Sequence, residues 1–418
     1  MTVPEDAAPA RTRTAPDTAP RQRGLLLLLL VTNSSMLAVY MGVGSVLLPT
    51  QIAAVAPDDK VLVLGVIGGV SSVFATAFNP IAGALSDRSG RRNPWILGGA
   101  FASLAGLAFI SGVETALLVG IGWCLVQATM NVYQAAVAAV VPDRVPITRR
   151  GTASAVVGLA LPVGGSVGVL IASRTADNLP VGYLVLGGIV ALAALLLAVC
   201  VRDLPRGRTT SGSSVARRAK AAAFLSALEH HDFRWAFIGR FLMMLGYFSV
   251  VGYQLYILED HVTLPAGLEP ADAMAVLTPL SMLTMAVSTL VGGMLSDRLN
   301  RRKVFIAASA TLAGLVTIVP VISPTWPAML VFSALSGLAF GCFMAVDTAL
   351  VTLVLPRAED AARDLGVLNI ANAGPQIIAP FVASMVVTLF SGYTPLFLVG
   401  GACALLGALS IAPIRSVR

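Results

Sequence analysis

The 418-residue chain is 56% hydrophobic and 12% charged, with a mean hydropathy of +0.84. A water-soluble domain carries roughly a quarter charged residues, so a soluble globule is excluded and the bilayer is the solvent. The 28 Lys and Arg exceed the 21 Asp and Glu by seven, an imbalance that has to be placed relative to the membrane before nucleic acid is considered. Cys124, Cys200, Cys342 and Cys403 lie in apolar runs without metal-ligand spacing, so no disulfide framework, metal site or cofactor is expected.

Residues 1–23 are Pro, Ala, Thr and Arg without apolar periodicity and are expected to form a disordered tail. Arg21 and Arg23 followed by LLLLLLV imitate a secretory signal, but the apolar run is too long for one, so this first span is expected to persist in the mature protein. Cutting the chain at its charged and Pro/Gly-rich punctuation predicts twelve spans, at 24–49, 61–85, 94–113, 116–141, 151–173, 181–201, 235–258, 272–295, 304–322, 328–355, 365–390 and 394–414. The division of 94–141 rests on Gly112, Glu114 and Thr115. Residues 202–234 form a basic linker between a first half at 24–201 and a second at 235–414, and 415–418 form a short tail.

Of the 28 basic residues, 25 fall in the tails and in every second loop, and the opposite loops hold only Lys60 and Arg174. Basic side chains resist translocation, which predicts cytoplasmic termini and a cytoplasmic linker in a multi-pass protein of the cell membrane. The halves also repeat. GALSDRSGRR (83–92) and GMLSDRLNRR (293–302) agree at seven of ten positions at an offset of 210, and PDRVPITRRG (142–151) corresponds to PRAEDAARDLG (356–366). The predicted fold is an all-α membrane protein of twelve transmembrane helices, in two six-helix halves related by a pseudo-two-fold axis along the membrane normal. Such halves rock about a solute site near the midplane.

The stretch G83-A-L-S-D87-R88-S-G90-R91-R92 resembles the signature loop between helices 2 and 3 of the major facilitator superfamily. The resemblance implies a cytoplasmic charge network that holds one transport state closed. It gives gating roles to Asp87, Arg88, Gly90 and Arg91, with Asp143 at the end of the fourth span and Asp297, Arg298 and Arg301 in the second copy. That copy departs from the pattern at Asn300, which stands where Gly is expected. The alternative for Arg92 and Arg302 is that they merely obey the positive-inside bias. D364-L-G-V-L-N369-I-A-N-A-G-P375-Q376 and R91-R-N-P94-W-I-L-G98 further resemble the sugar–proton symporter branch that includes the plant sucrose carriers, although Ala138 stands where those carriers place a substrate-binding Arg. G158-L-A-L-P162-V-G164-G165 resembles the Gly/Pro motif of drug antiporters, with Leu161 in place of a Gly. Glycine and proline are equally explained as packing and bending residues of membrane helices.

Lipid cannot solvate polar groups, so mid-span polar residues face a cavity, a neighbouring helix or their own backbone. Gln127, Asn131 and Gln134 share one face of the fourth span; Arg240, Tyr247 and Gln254 recur at steps of seven in the seventh; Asn369, Asn372 and Gln376 follow helical spacing in the eleventh; and Asn33 and Tyr40 lie in the first. Together they are the expected solute-binding set, a hydrogen-bonding groove suited to a polyhydroxylated or amphipathic neutral solute. Singly, each could instead hold helices together. Two charges lie well inside spans, Arg240 and Asp347, at similar depth. An unpaired charge there costs several kcal/mol, so the two are expected to pair, with Asp347 the candidate proton carrier or else half of a permanent structural bridge. His230, His231 and His261, each beside carboxylates, read as solvated.

No P-loop, H-E-x-x-H or G-x-S-x-G occurs, so no enzymatic activity is expected. The expected function is secondary active transport of a small organic solute by alternating access, proton-coupled, with sugar or glycoside symport leading and proton-antiport export of an amphipathic drug or metabolite second. A non-transporting solute sensor would be expected to carry longer signalling extensions than 23 and four residues. The expected partners are the solute, protons and the lipid bilayer, with no nucleic acid, and the protein is expected to act as a monomer.

Overall fold

The computed structural model describes residues 19–201, 203, 229–354 and 361–414. Residues 1–18 of the predicted tail, most of the linker, the first part of the 356–366 repeat and the last four residues lie outside the described residues. Helical backbone is described from Ala19, inside the stretch read as a tail, with Pro20 in its first turn, where proline is tolerated.

Among the described residues twelve rods follow: α1 Gly24–Val55, α2 Lys60–Ser89, α3 Asn93–Ser111, α4 Ala116–Arg144, α5 Ile147–Arg174, α6 Leu179–Cys200, α7 His231–Val251, α8 Pro270–Leu299, α9 Arg302–Ile322, α10 Trp326–Val354, α11 Ala361–Phe390 and α12 Thr394–Leu409. Among the described residues eleven are long and apolar enough to cross a membrane, and α12 is a shorter apolar helix. Proline within the first turn starts α3, α6, α8 and α12, where its missing N–H costs nothing. The α3/α4 division falls at Gly112, as expected. Several ends run past the predicted spans, α2 to Ser89 and α8 to Leu299, because charged last turns are solvated at the interface and need not stop a helix. The predicted seventh span is broken: α7 ends at Val251, and a short helix, Gln254–Asp260, starts after a turn at Gly252 and Tyr253.

The packing pairs give the repeat its three-dimensional form. In the first half α1 packs on α5 and α6, α4 on α2 and α3, and α3 on α6; in the second, α7 packs on α11 and α12, α10 on α8 and α9, and α9 on α12. Each pair maps onto its counterpart by adding six. The halves meet through α2 with α11 and α5 with α8, which the same operation exchanges. At the start of α3, Asn93 Nδ2 donates to the Ala198 and Val201 carbonyls that end α6 (3.1 and 2.8 Å); 210 residues on, Lys303 Nζ donates to the Ala412 and Ile414 carbonyls after α12 (3.2 and 2.6 Å). Asp203 accepts from the Arg92 and Asn93 backbone N–H groups, an anion at the positive end of α3.

Contact between rods rests on small residues, since lipid tails are as apolar as leucine and offer no hydrophobic drive. A Cβ at Gly168 of α5 would fall inside contact distance of the Ala38 carbonyl of α1, and one at Gly341 of α10 would do the same to the Met285 carbonyl of α8. Leu117, Leu283, Leu290 and Phe390, more than half exposed, turn outward as the lipid-facing surface.

Candidate functional site

The rods have two ends. The tail face carries the start of α1, the α2–α3 and α8–α9 loops and the α4–α5 loop; the opposite, Lys60 face carries the α1–α2 turn and the segment from Tyr253 to Thr263.

In the second half, Arg240 Nη1 of α7 lies 3.2 Å from Asp347 Oδ2 of α10, with both side chains at most 5% exposed. Arg240 Nε also donates to Asn372 Oδ1 of α11 at 2.8 Å. Arg240 is nine residues from the start of α7 and Asp347 seven from the end of α10, so both sit roughly 10–14 Å inside the tail face. Ile306, Phe343, Ile411 and Ile414 pack around them, and among the described residues the pair is buried within the half. Tyr247 likewise turns into α10 and stacks on Phe340, ring centroids 3.9 Å apart. Gln254 does not continue the face of Arg240 and Tyr247, because the turn at Gly252 resets the helical phase.

The first half holds a neutral cluster. Asn131 Nδ2 donates to the Tyr40 hydroxyl at 3.2 Å, and Asn79 Nδ2 of α2 donates to Asn131 Oδ1 at 3.2 Å, so three helices converge on one amide. Gln127, one turn away, has its Oε1 buried with no hydrogen-bond partner among the described residues, an acceptor left open beside the cluster. Gln134 is half-buried one turn nearer the tail face. Asn33 spends its amide on its own helix, donating to the Leu29 carbonyl at 2.7 Å, while Asn369 and Gln376 of α11 are exposed. The structure therefore joins Tyr40 and the Gln127 carbonyl to Asn131, and Arg240 to Asp347 and Asn372, and leaves the other predicted solute residues outside these two clusters. Asn79 was not anticipated, although it meets the same criterion, a mid-span amide, just before Pro80.

At the Lys60 face the halves are latched. Lys60 Nζ of the first half bonds Glu259 Oε1 at 3.0 Å and Asp260 Oδ1 at 2.8 Å in the second, and sits 4.9 Å from the Tyr256 ring centroid. The Tyr256 hydroxyl donates to the Pro49 carbonyl at 2.9 Å, and Tyr253 donates to the Val61 and Pro380 carbonyls at 3.1 Å. Tyr393 donates to Asp260 Oδ2 at 2.8 Å; burial and the neighbouring carboxylate push its phenol pKa up and keep it a donor. His261, expected to be solvated, packs between Tyr393 and Phe397. In sequence the only signal was that Lys60 is nearly alone among basic residues on its face.

At the tail face, the ion pairs made by Arg92 and by Arg302 lie within their own halves. Arg92, tucked in at 17% exposure, donates through Nη2 to Asp87 Oδ1 at 2.6 Å, through Nε to Asp143 Oδ2 at 3.1 Å and through Nη1 to Ser86 Oγ at 2.9 Å. Burial works against its charge, but the Asp87 and Asp143 carboxylates more than offset this and raise its pKa above the ordinary value. Arg302 pairs with Asp297 at 3.0 Å. Arg88, Arg91, Arg298 and Arg301 are exposed in both copies. The hub of each loop is thus its last arginine, for which the positive-inside bias was the alternative reading. Gly90 takes φ +66°, and Asn300, the departure in the second copy, takes φ +50° at the same place, since asparagine tolerates the left-handed conformation a helix C-cap requires.

The sequence profile of the Major Facilitator Superfamily matches residues 25–268 and 262–416. The chain belongs to this superfamily. A curated relative, the MFS transporter asaE of Aspergillus flavus, is 26% identical over 353 residues, 82% of this chain and 75% of that one. Among solved structures, a bacterial homolog of the human lysosomal transporter Spinster, inward-facing and unoccupied, matches with TM-score 0.71 at 13% identity over 95% of both chains. A POT family transporter in complex with 5-aminolevulinic acid matches with TM-score 0.72 at 15% identity over 93% of this chain and 95% of that one. At such identities the likeness is one of fold. This major facilitator protein is a multi-pass membrane transporter.

Proposed function

We propose that the protein moves a small neutral polar solute, of the sugar or glycoside class, across the cell membrane by alternating access driven by protons. The observation that carries this reading is the asymmetry of the two clusters. The first half offers uncharged donors and acceptors, Tyr40, Asn79, Gln127 and Asn131, and the second keeps its charge as the pair Arg240 and Asp347. Hydroxyl-rich solutes are recognised by neutral amides and phenols. In this reading the tail face is cytoplasmic, the Lys60 face is external, and the latched state described above is open toward the cytoplasm. Asp347 carries the coupling proton: its protonation releases Arg240, and with it Asn372 and α11, one of the two helices that join the halves at the α2 contact. The monomer is the functional unit, and the charged loops around Arg92 and Arg302 re-pair between states as gates.

Export by proton antiport is the second reading, suggested by the Gly/Pro stretch from Gly158 to Gly165 in the middle of α5. Close packing of Gly164 on α1 accounts for that glycine without it, while a Cβ at Gly158 would meet open space. Purified protein in proteoliposomes, given an imposed pH gradient and a panel of sugars, glycosides and amphipathic drugs, tests both. Asp347→Asn is expected to abolish uphill accumulation while preserving solute counterflow; uphill accumulation in that variant would remove Asp347 as the coupling residue.

A further inference from the structure

The packing pairs close eight helices into one circle, α1, α5, α8, α10, α7, α11, α2 and α4, each against the next and the last against the first. The other four pack on it in pairs, α3 with α6 and α9 with α12. In that circle the α4–α1 joint and the α10–α7 joint stand diametrically opposite, and adding six to one gives the other. The two joints are built from opposite chemistry. Across α4–α1 the contact is polar: Asn131 donates to the Tyr40 hydroxyl, and the Gln127 Oε1 acceptor one turn away is left open among the described residues. Across α10–α7 it is aromatic. Tyr247 lies nearly flat on Phe340, with ring centroids 3.9 Å and planes 17° apart, and Phe248 sets its edge against both at 5.5 and 6.4 Å. Met344, one turn from Phe340, extends this wall, and Tyr247, Phe248 and Met344 are all half-buried.

The joints also share a level. Tyr40 and Tyr247 each lie 16 residues from the tail-face end of their helix, and Asn131 and Phe340 lie 13 and 14 from theirs, which puts all four roughly 20–24 Å inside that face. A solute held between the halves at this level meets hydrogen-bonding groups on one side and a flat apolar surface on the other. We propose that the solute is an aryl glycoside, its sugar hydroxyls on the Tyr40 and Asn131 wall and its aromatic aglycone on the Tyr247 and Phe340 wall. This narrows the solute class of the transport reading above and rests on that reading. A free sugar carries hydroxyls around its whole rim, and those turned to the rings would lose water without gaining a partner. An aryl group loses nothing there and gains ring contact, while the flexible thioether of Met344 adapts to its outline. The aromatic wall stands over the ion pair: Tyr247 is seven residues beyond Arg240 and Phe340 seven before Asp347, so stack and pair join the same two helices roughly 10 Å apart. An aglycone on the stack therefore bears on the helix pair that Arg240 and Asp347 hold together.

The test measures equilibrium binding to the full chain in nanodiscs, with the methyl and phenyl β-glycosides of glucose, galactose and xylose as probes. Wild type is expected to bind the phenyl member of a pair about 10-fold more tightly than the methyl member, the upper worth of an aromatic contact. Phe340→Leu and Phe248→Leu each keep the wall apolar but remove a ring, and are expected to cut that preference by about 2- to 12-fold. Tyr40→Phe, on the opposite wall, is expected to weaken both members in proportion and so keep the ratio. Thermal unfolding checks each variant, and either ring variant alone decides the matter. Equal affinity for phenyl and methyl glycosides in wild type, or an undiminished preference in a folded ring variant, overturns the proposal and leaves sugar transport standing. Binding of no probe at all overturns the glycoside reading itself and this proposal with it.

Discussion

Lys60→Ala removes a polar link between the halves that is concentrated on one side chain. Two ion pairs, at 3.0 and 2.8 Å, and the cation held 4.9 Å from the Tyr256 ring are lost together. Lys60 is 16% exposed while its partners are 41% and 35% exposed, so surface values apply: about 0.2–1 kcal/mol for each pair and about 0.5–1 for the ring. The sum, about 1–3 kcal/mol, favours one state only, since these contacts cannot persist once the Lys60 face opens. The equilibrium between latched and opened states should move by about 5- to 150-fold toward opening. Spin labels at Asp58→Cys and Ala266→Cys, both exposed and on opposite halves, report the gap by double electron–electron resonance. Wild type is expected to give a dominant short distance, and Lys60→Ala a new longer population that shrinks at low salt if Lys60→Arg is substituted instead. A distance distribution identical to wild type in Lys60→Ala would refute the latch.

Other consequences are open to measurement. Arg240→Ala or Asp347→Ala alone should lower stability by about 3–5 kcal/mol by leaving a buried charge unpaired, whereas R240L/D347L should lose less than either; thermal unfolding in one detergent compares the three. Tyr40→Phe and Asn131→Ala should each raise the solute Kd about 2- to 12-fold, the worth of one hydrogen bond, in a binding assay that leaves proton uptake unchanged. Arg92→Gln, which breaks contacts to Asp87, Asp143 and Ser86, should perturb transport more than Arg91→Gln, which breaks no side-chain pair seen here. Gly168→Val drives its side chain into the α1 backbone and should destabilise by about 1–3 kcal/mol or more.

Much of the fold was readable because the bilayer imposes length, and because each repeated loop carries its own punctuation. The ends at Gly90 and Asn300, the break at Gly112 and the prolines that open α3, α8 and α12 are local signals, and the structure uses them locally. The break at Gly252 was not legible, since a lone glycine in an apolar run is tolerated in most membrane helices. The site was readable only in part. Arg240 and Asp347 stood out because a charge in lipid needs a partner, and their equal depth named it. Which face of α7 meets α10 depends on packing, so the stacking of half-buried Tyr247 on Phe340 was not legible. Arg92 and Arg91 are adjacent and chemically identical; only the turn through Gly90 decides which of them reaches Asp143. The Lys60 latch joins residues about 200 positions apart, and nothing local in the sequence brings them together.

The central claim is that solute crosses because the Lys60 face and the tail face open in turn. In a background lacking the four native cysteines, K60C and E259C can be bridged by a bifunctional thiol reagent with a cleavable spacer and assayed for proton-driven solute accumulation in proteoliposomes. The account predicts that bridging stops accumulation and that cleaving the spacer restores it. Accumulation that continues at the unbridged rate with the latch covalently closed would contradict it.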